Sequence, residues 1–257
     1  MITVFSYGVY VLAATLGLGL GSFINVVVLR LHAGKTLTGR SACPQCHTQL
    51  AWYWLVPVLS YVWLHGRCHY CHKPISAQYP LVEAATAALF VVYTVWFLYD
   101  PMRLAVNLIV LVFLIIIFIY DYKYYVIPDS VSLPGAALAL LGGLILGVEW
   151  WRLLLGIGVG AGVFIVQYVV SRGRWIGGGD IRLGALLGAY LAWPHIMVGL
   201  FLAYLLGAAI AVGLMLTRKK QLGDKLPFGT VLTVAAVVTS LVGEDILQWY
   251  IYDALHW

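Results

Sequence analysis

Apolar runs of roughly 18–22 residues follow one another along this chain, each matching the hydrocarbon thickness of a bilayer. A soluble domain has no way to bury so much continuous apolar sequence. Of 257 residues, 63% are hydrophobic and only 10% are charged. The apolar residues run on rather than alternate, which argues against a β-barrel. The chain is therefore expected to be an all-α polytopic membrane protein. Its helices are expected near 4–29, 81–99, 103–120, 131–148, 152–170, 181–192, 195–216 and 228–250, about eight transmembrane helices in all. The first run, Val4–Leu29, has no basic residue before it and reads as a retained helix rather than a cleaved signal.

With helices so placed, thirteen of the fifteen Lys and Arg fall on one side, among them Arg30, Lys35, Arg40, Lys123, Arg218, Lys219, Lys220 and Lys225. Only Arg103 and Arg152 fall on the other. The positive-inside rule makes the first side cytoplasmic, with both termini outside. The net charge of +5 then reflects orientation and contact with anionic lipid, not nucleic acid.

Three segments are expected: a first transmembrane helix (1–30), a cytoplasmic insert (31–80) and a membrane helical core (81–257). The insert holds all four cysteines and five of the seven histidines. Cys43-Pro-Gln-Cys46 and Cys68-His-Tyr-Cys71 have the spacing of a zinc ribbon, and a cytoplasmic loop disfavours disulfides. Four thiolates close the coordination shell, so structural Zn2+ is expected at Cys43, Cys46, Cys68 and Cys71. No internal repeat is apparent. Gly17, Gly19 and Gly21, and Gly156, Gly158, Gly160 and Gly162, read as close-packing positions between helices.

Asp121 and Asp180 stand out because an ionisable group at membrane depth costs several kcal/mol unless it is used or neutralised. Asp121 ends the apolar run 108–120; Asp180 follows Gly177, Gly178 and Gly179, which leave room for an extended peptide. Two carboxylates that meet support acid–base hydrolysis, one activating water and the other, protonated, polarising a carbonyl. The structural alternatives are an interfacial charge at Asp121 and a helix N-cap at Asp129. Glu83 reads either as a favourable charge at a helix N-terminus or as a functional buried acid.

The ordered motifs resemble the type IV prepilin peptidases, bifunctional membrane aspartic peptidases of the GxGD kind. The matching stretches are Gly21-Ser-Phe-Ile-Asn25 through Arg30, the two CxxC pairs, and Ile75 through Glu83. They continue with Asp121 and its Ile127-Pro128-Asp129, then Gly177-Gly178-Gly179-Asp180, and finally Leu226-Pro227-Phe228-Gly229. The resemblance implies an inner-membrane enzyme that cleaves the leader of type IV prepilins or type II secretion pseudopilins on the cytoplasmic face. It then implies N-methylation of the new N-terminus from S-adenosyl-L-methionine. Asp121 and Asp180 take the catalytic positions. Glu83 is implied in methyl transfer, holding the substrate's α-amino group, with Asn25 and Arg30 as candidates for binding donor or peptide. Two alternatives remain: a GxGD peptidase without methylation, and a proton-coupled transporter, against which the absence of repeats and midplane acids speaks.

Overall fold

The structure, a computed structural model, describes residues 2–217 and 226–254. Arg218, Lys219, Lys220 and Lys225, used above to orient the chain, lie outside the described residues. Nine α-helices are described: α1 (Ile2–His32), α2 (Leu59–Trp63), α3 (Gln78–Trp96), α4 (Pro101–Tyr124), α5 (Asp129–Ile145), α6 (Trp150–Ser171), α7 (Gly178–Leu191), α8 (His195–Leu216) and α9 (Phe228–Gln248). All eight expected apolar segments are helical, α2 being an addition within the insert. The chain is a multi-pass helical membrane protein, and six of these helices are by length and composition able to cross a bilayer. α5 has 17 residues. α7 has 14, about 21 Å at 1.5 Å per residue, against a core of about 30 Å.

The chain divides into two compact units, Met1–Leu104 and Ala105–Trp257. In the first, α1 packs along α3. A Cβ on Gly17 would meet the Ala87 Cα at 2.6 Å, and one on Gly21 the Glu83 Cα at 2.7 Å, so only glycine permits this approach. Gly19, between them, faces open space. α3 begins at Gln78, three residues before the expected start, because Pro80 in the first turn needs no N–H partner there.

The second unit is arranged around α7, which packs against α5, α6, α8 and α9. A Cβ on Gly160 would stand 2.2 Å from the Gly184 carbonyl oxygen, and one on Gly188 2.2 Å from that of Gly156. Gly158 and Gly162 have nothing within 4 Å. Gly160→Ala is expected to destabilise the fold by about 1–3 kcal/mol through overpacking. Gly158→Ala should stay within about 0.5 kcal/mol of the parent, both variants being compared by unfolding in bicelles.

Candidate active site and metal centre

Asp121 lies in the last turn of α4, not at the start of a loop. Nothing in Asp121-Tyr-Lys-Tyr124 breaks a helix, and the chain turns only at Tyr125, whose φ is 56° and whose N–H donates to the Asp121 carbonyl at 2.9 Å. The Asp121 side chain is only 5% exposed. Its Oδ2 accepts the Thr230 backbone N–H at 2.7 Å and the Thr230 hydroxyl at 3.1 Å, both from the first turn of α9. Gly229 completes the seat, since a Cβ there would lie 3.0 Å from the same oxygen. Thr230 escaped the sequence reading; a hydroxyl directly after Leu226-Pro-Phe-Gly229 at a helix start was the available signal.

Asp180 is the third residue of α7, whose N-cap is Gly177. Its carboxylate reaches back to accept the Gly177 N–H at 2.9 Å, which also places negative charge at a helix N-terminus. Ile127 touches Gly179, next to Asp180, and Gly229, which lies against Asp121. A Cβ on Gly179 would be 3.0 Å from the Ile127 Cβ, and one on Gly229 3.0 Å from its Cδ1. The carboxylates of Asp121 and Asp180 are close enough to interact electrostatically. Such a pair can share protons unequally, one acid and one base. Gly179 is thus filled by Ile127, whereas Gly177 and Gly178 meet only the ends of Asp180 and Arg182.

Asp129 is not the N-cap that its position suggested. Pro128 is the cap, Asp129 opens α5, and its carboxylate pairs with the Arg182 guanidinium. That pair is substantially exposed.

In the first unit, Glu83 sits in the second turn of α3, too deep for a helix-terminal charge. It is buried, and its Oε2 accepts the Val58 N–H at 2.7 Å. Val58 has φ 60°, a strained backbone for a β-branched residue, costing about 1–3 kcal/mol. Asn25 is 1% exposed; its amide donates to the Gly21 and Tyr79 carbonyls, both at 3.2 Å. Arg30 is occupied with the insert's first loop, donating to the carbonyls of Leu37 (2.5 Å), Thr38 (2.8 Å) and Gly39 (2.9 Å).

The four cysteine Sγ atoms lie within 4.8 Å of one another and can hold a metal ion. Cys43 and Cys71 sulfurs are 3.9 Å apart, too far for a disulfide but close to the ~3.8 Å edge of a tetrahedron with 2.3 Å metal–sulfur bonds. Hydrogen bonds from Thr48 lower the Cys46 thiol to about 6, favouring the thiolate a metal needs. The two knuckles repeat each other, correcting the expectation of no repeat. Cys43 and Cys68 donate N–H to the Thr48 and Lys73 carbonyls, and His47 and His72 donate theirs to Cys43 and Cys68. His47 and His72 both have positive φ, and the bridges Ala42–Gln49 and Arg67–Pro74 close the two turns. The shared string Cys-x-x-Cys-His was the visible trace.

A helical membrane protein with two acids near Ile127 in one unit and four cysteines that can hold a metal ion in the other is the class these features define. The profile described as the bacterial peptidase A24 N-terminal domain matches residues 15–97, and that of the type IV leader peptidase family matches residues 108–212. A prepilin leader peptidase/N-methyltransferase of Aeromonas hydrophila is 32% identical, over 92% of this chain and 91% of the relative. Proteins with the same name from Pseudomonas putida and Bacillus subtilis (strain 168) are 33% and 30% identical, over 91% and 93% of this chain and 91% and 96% of their own. No solved structure matches the chain. The chain belongs to the type IV leader peptidase family.

Proposed function

We propose that this chain is a bifunctional enzyme that removes the leader of type IV prepilins or type II secretion pseudopilins and then methylates the new N-terminus. The observation that supports the peptidase half is that Ile127 touches both Gly179, next to Asp180, and Gly229, which seats Asp121. One carboxylate takes a proton from water as it attacks the scissile carbonyl; the other donates to the carbonyl oxygen and later to the leaving amine. Thr230 fixes one oxygen of Asp121 and leaves its carboxylate oriented for this work. Gly177 and Gly178, with little around them, accommodate the extended scissile segment. Residues 31–80 form the methyltransferase-associated insert and 81–257 the membrane core, whose part from Ala105 on carries the peptidase aspartates; the basic loops turn the site to the cytoplasm of the inner membrane.

The metal is structural Zn2+, since all four positions are taken by cysteine and none is left for water. The methyl donor, S-adenosyl-L-methionine, supplies an electrophilic carbon. The substrate amine forms the N–CH3 bond, the S–CH3 bond breaks to a thioether, and a proton leaves the nitrogen. Glu83 would hold that amine and accept the proton it releases. Asn25 supports this corner through the Tyr79 carbonyl, and Arg30 acts by ordering the loop it binds.

The test is co-expression with a prepilin and mass spectrometry of the pilin N-terminus. Wild type should yield leader loss plus one methyl group, and uncut pilin would reject the peptidase reading. Glu83→Gln is expected to preserve cleavage while reducing methylated product at least about tenfold. Full methylation in that variant would remove Glu83 from the transfer.

A further inference from the structure

The insert turns outward the kind of residue that a soluble module buries. From Leu50 to Leu64 the chain carries no charged residue, and it holds Trp52, Tyr53, Trp54, Tyr61 and Trp63. Trp52 and Trp63 are each 77% exposed, and Leu59 and Val62 on α2 are nearly as open. The 3-10 turn Trp52–Leu55 packs on α2, so these side chains belong to one pair of short elements. An exposed apolar surface of this kind marks an interaction site.

Two observations indicate the partner. The first is depth. The insert is joined at both ends to helices able to cross a bilayer, α1 ending at His32 and α3 starting at Gln78. Val58, the N-cap of α2, donates its N–H to the Glu83 carboxylate at 2.7 Å. Glu83 lies five residues beyond Gln78, about 7.5 Å along α3. α2 therefore starts beside the second turn of a transmembrane helix, at the level where that helix meets the bilayer surface. Tryptophan and tyrosine favour this level, the ring among the headgroups and its polar edge toward water.

The second observation is charge. No acid precedes Glu83 in the chain, whereas the insert carries Lys35, Arg40, Arg67 and Lys73. Arg67 and Trp63 line one cavity, which sets a fixed cation beside an exposed indole. A basic surface with aromatic anchors and no counter-charge of its own fits an anionic leaflet. We propose that the insert lies on the bilayer, with Trp52, Leu59, Val62 and Trp63 seated among the headgroups of anionic lipid and Arg67 and Lys73 against the phosphates. This contact goes beyond the enzymatic reading and does not depend on it. It supplies apolar burial that the insert lacks within itself, and it keeps α2 at the depth of Glu83.

Two measurements on the full-length protein in nanodiscs test the docking. With p-benzoylphenylalanine in place of Trp63, irradiation should give a phospholipid adduct at that position, read by mass spectrometry. An adduct to a peptide of residues 105–257, an adduct to a second copy of the chain, or no adduct overturns the proposal. Hydrogen exchange at residues 52–64 should be at least about tenfold slower in mixed phosphatidylglycerol and phosphatidylcholine than in phosphatidylcholine alone, since each cation at an anionic surface favours the docked state by about fivefold. Leu59→Glu combined with Val62→Glu should abolish that difference while the protein melts as the parent does. Equal exchange in the two lipids, or a difference that survives the double variant, overturns the assigned surface. The crosslink and the lipid comparison leave α2 unaltered at Leu59 and Val62, so they decide the matter even where the double variant fails to fold.

Discussion

Asp121→Asn is expected to lower the rate of leader cleavage by about a thousandfold or more, and Asp180→Asn by a similar factor. Each amide keeps the size of the side chain and removes its ability to exchange a proton, the step on which general acid–base hydrolysis depends. In the proposed mechanism the two residues act on one water, so the double variant should be little worse than either single one. Additive losses would instead indicate separate roles. The measurement is the initial rate of cleavage of a purified prepilin by protein reconstituted in lipid. Asp129→Asn is the internal control. Its partner Arg182 and its own carboxylate are both solvent-accessible, and a pair of that kind contributes at most about 1 kcal/mol. A rate within a few-fold of the parent is expected there. Normal cleavage by either Asp121→Asn or Asp180→Asn would dismiss that residue from the mechanism.

Much of the helical framework was legible because a bilayer demands long apolar runs, and such runs cannot be hidden in a sequence. The count of spans was less legible. α5 and α7 are apolar enough to read as spans but are shorter than the other six, and α7 is enclosed by four neighbouring helices. The glycines divide the same way. Positions 17 and 21, and 156 and 160, are four apart and share one helix face, where a Cβ would strike a neighbour. Gly19, Gly158 and Gly162 fall off that face, and since Gly158 and Gly162 are also four apart, spacing alone does not carry the packing signal.

The candidate site was legible in its charges and hidden in its supports. Asp121 and Asp180 announce themselves as costly groups in an apolar chain. The seat of Asp121 does not, because Thr230 is 109 positions away and becomes a neighbour only when α9 lies against the end of α4. Glu83 likewise looked like a helix-start charge, and it became a buried acceptor because α3 begins one turn earlier and folds Val58 onto it. Arg30 followed the opposite course. A cation free in sequence is, in the fold, surrounded by the carbonyls of residues 37–39.

Metal removal is expected to unfold the insert while leaving the membrane helices in place. From residue 33 to residue 77 the only buried residues are Cys43 and Cys68. This segment therefore has no hydrophobic core of its own, and a module of this size without one depends on a metal or a disulfide. The sulfurs are 3.9 Å apart at Cys43 and Cys71, which leaves the metal. Structural zinc sites of small modules contribute an apparent ~10–16 kcal/mol at neutral pH, more than the whole stability of most domains. A chelator, or the pair Cys43→Ser and Cys68→Ser, should release the bound metal and open the backbone of residues 40–75 to hydrogen exchange. Exchange across α6 and α7 should stay protected, since the glycine contacts there involve no residue of the insert. Methylation should fall with the insert, because Val58, which donates to Glu83, belongs to it. Retained protection of residues 40–75 in the metal-free protein would show that the aromatic contacts among Trp52, Tyr53, Trp54 and His69 hold the insert unaided.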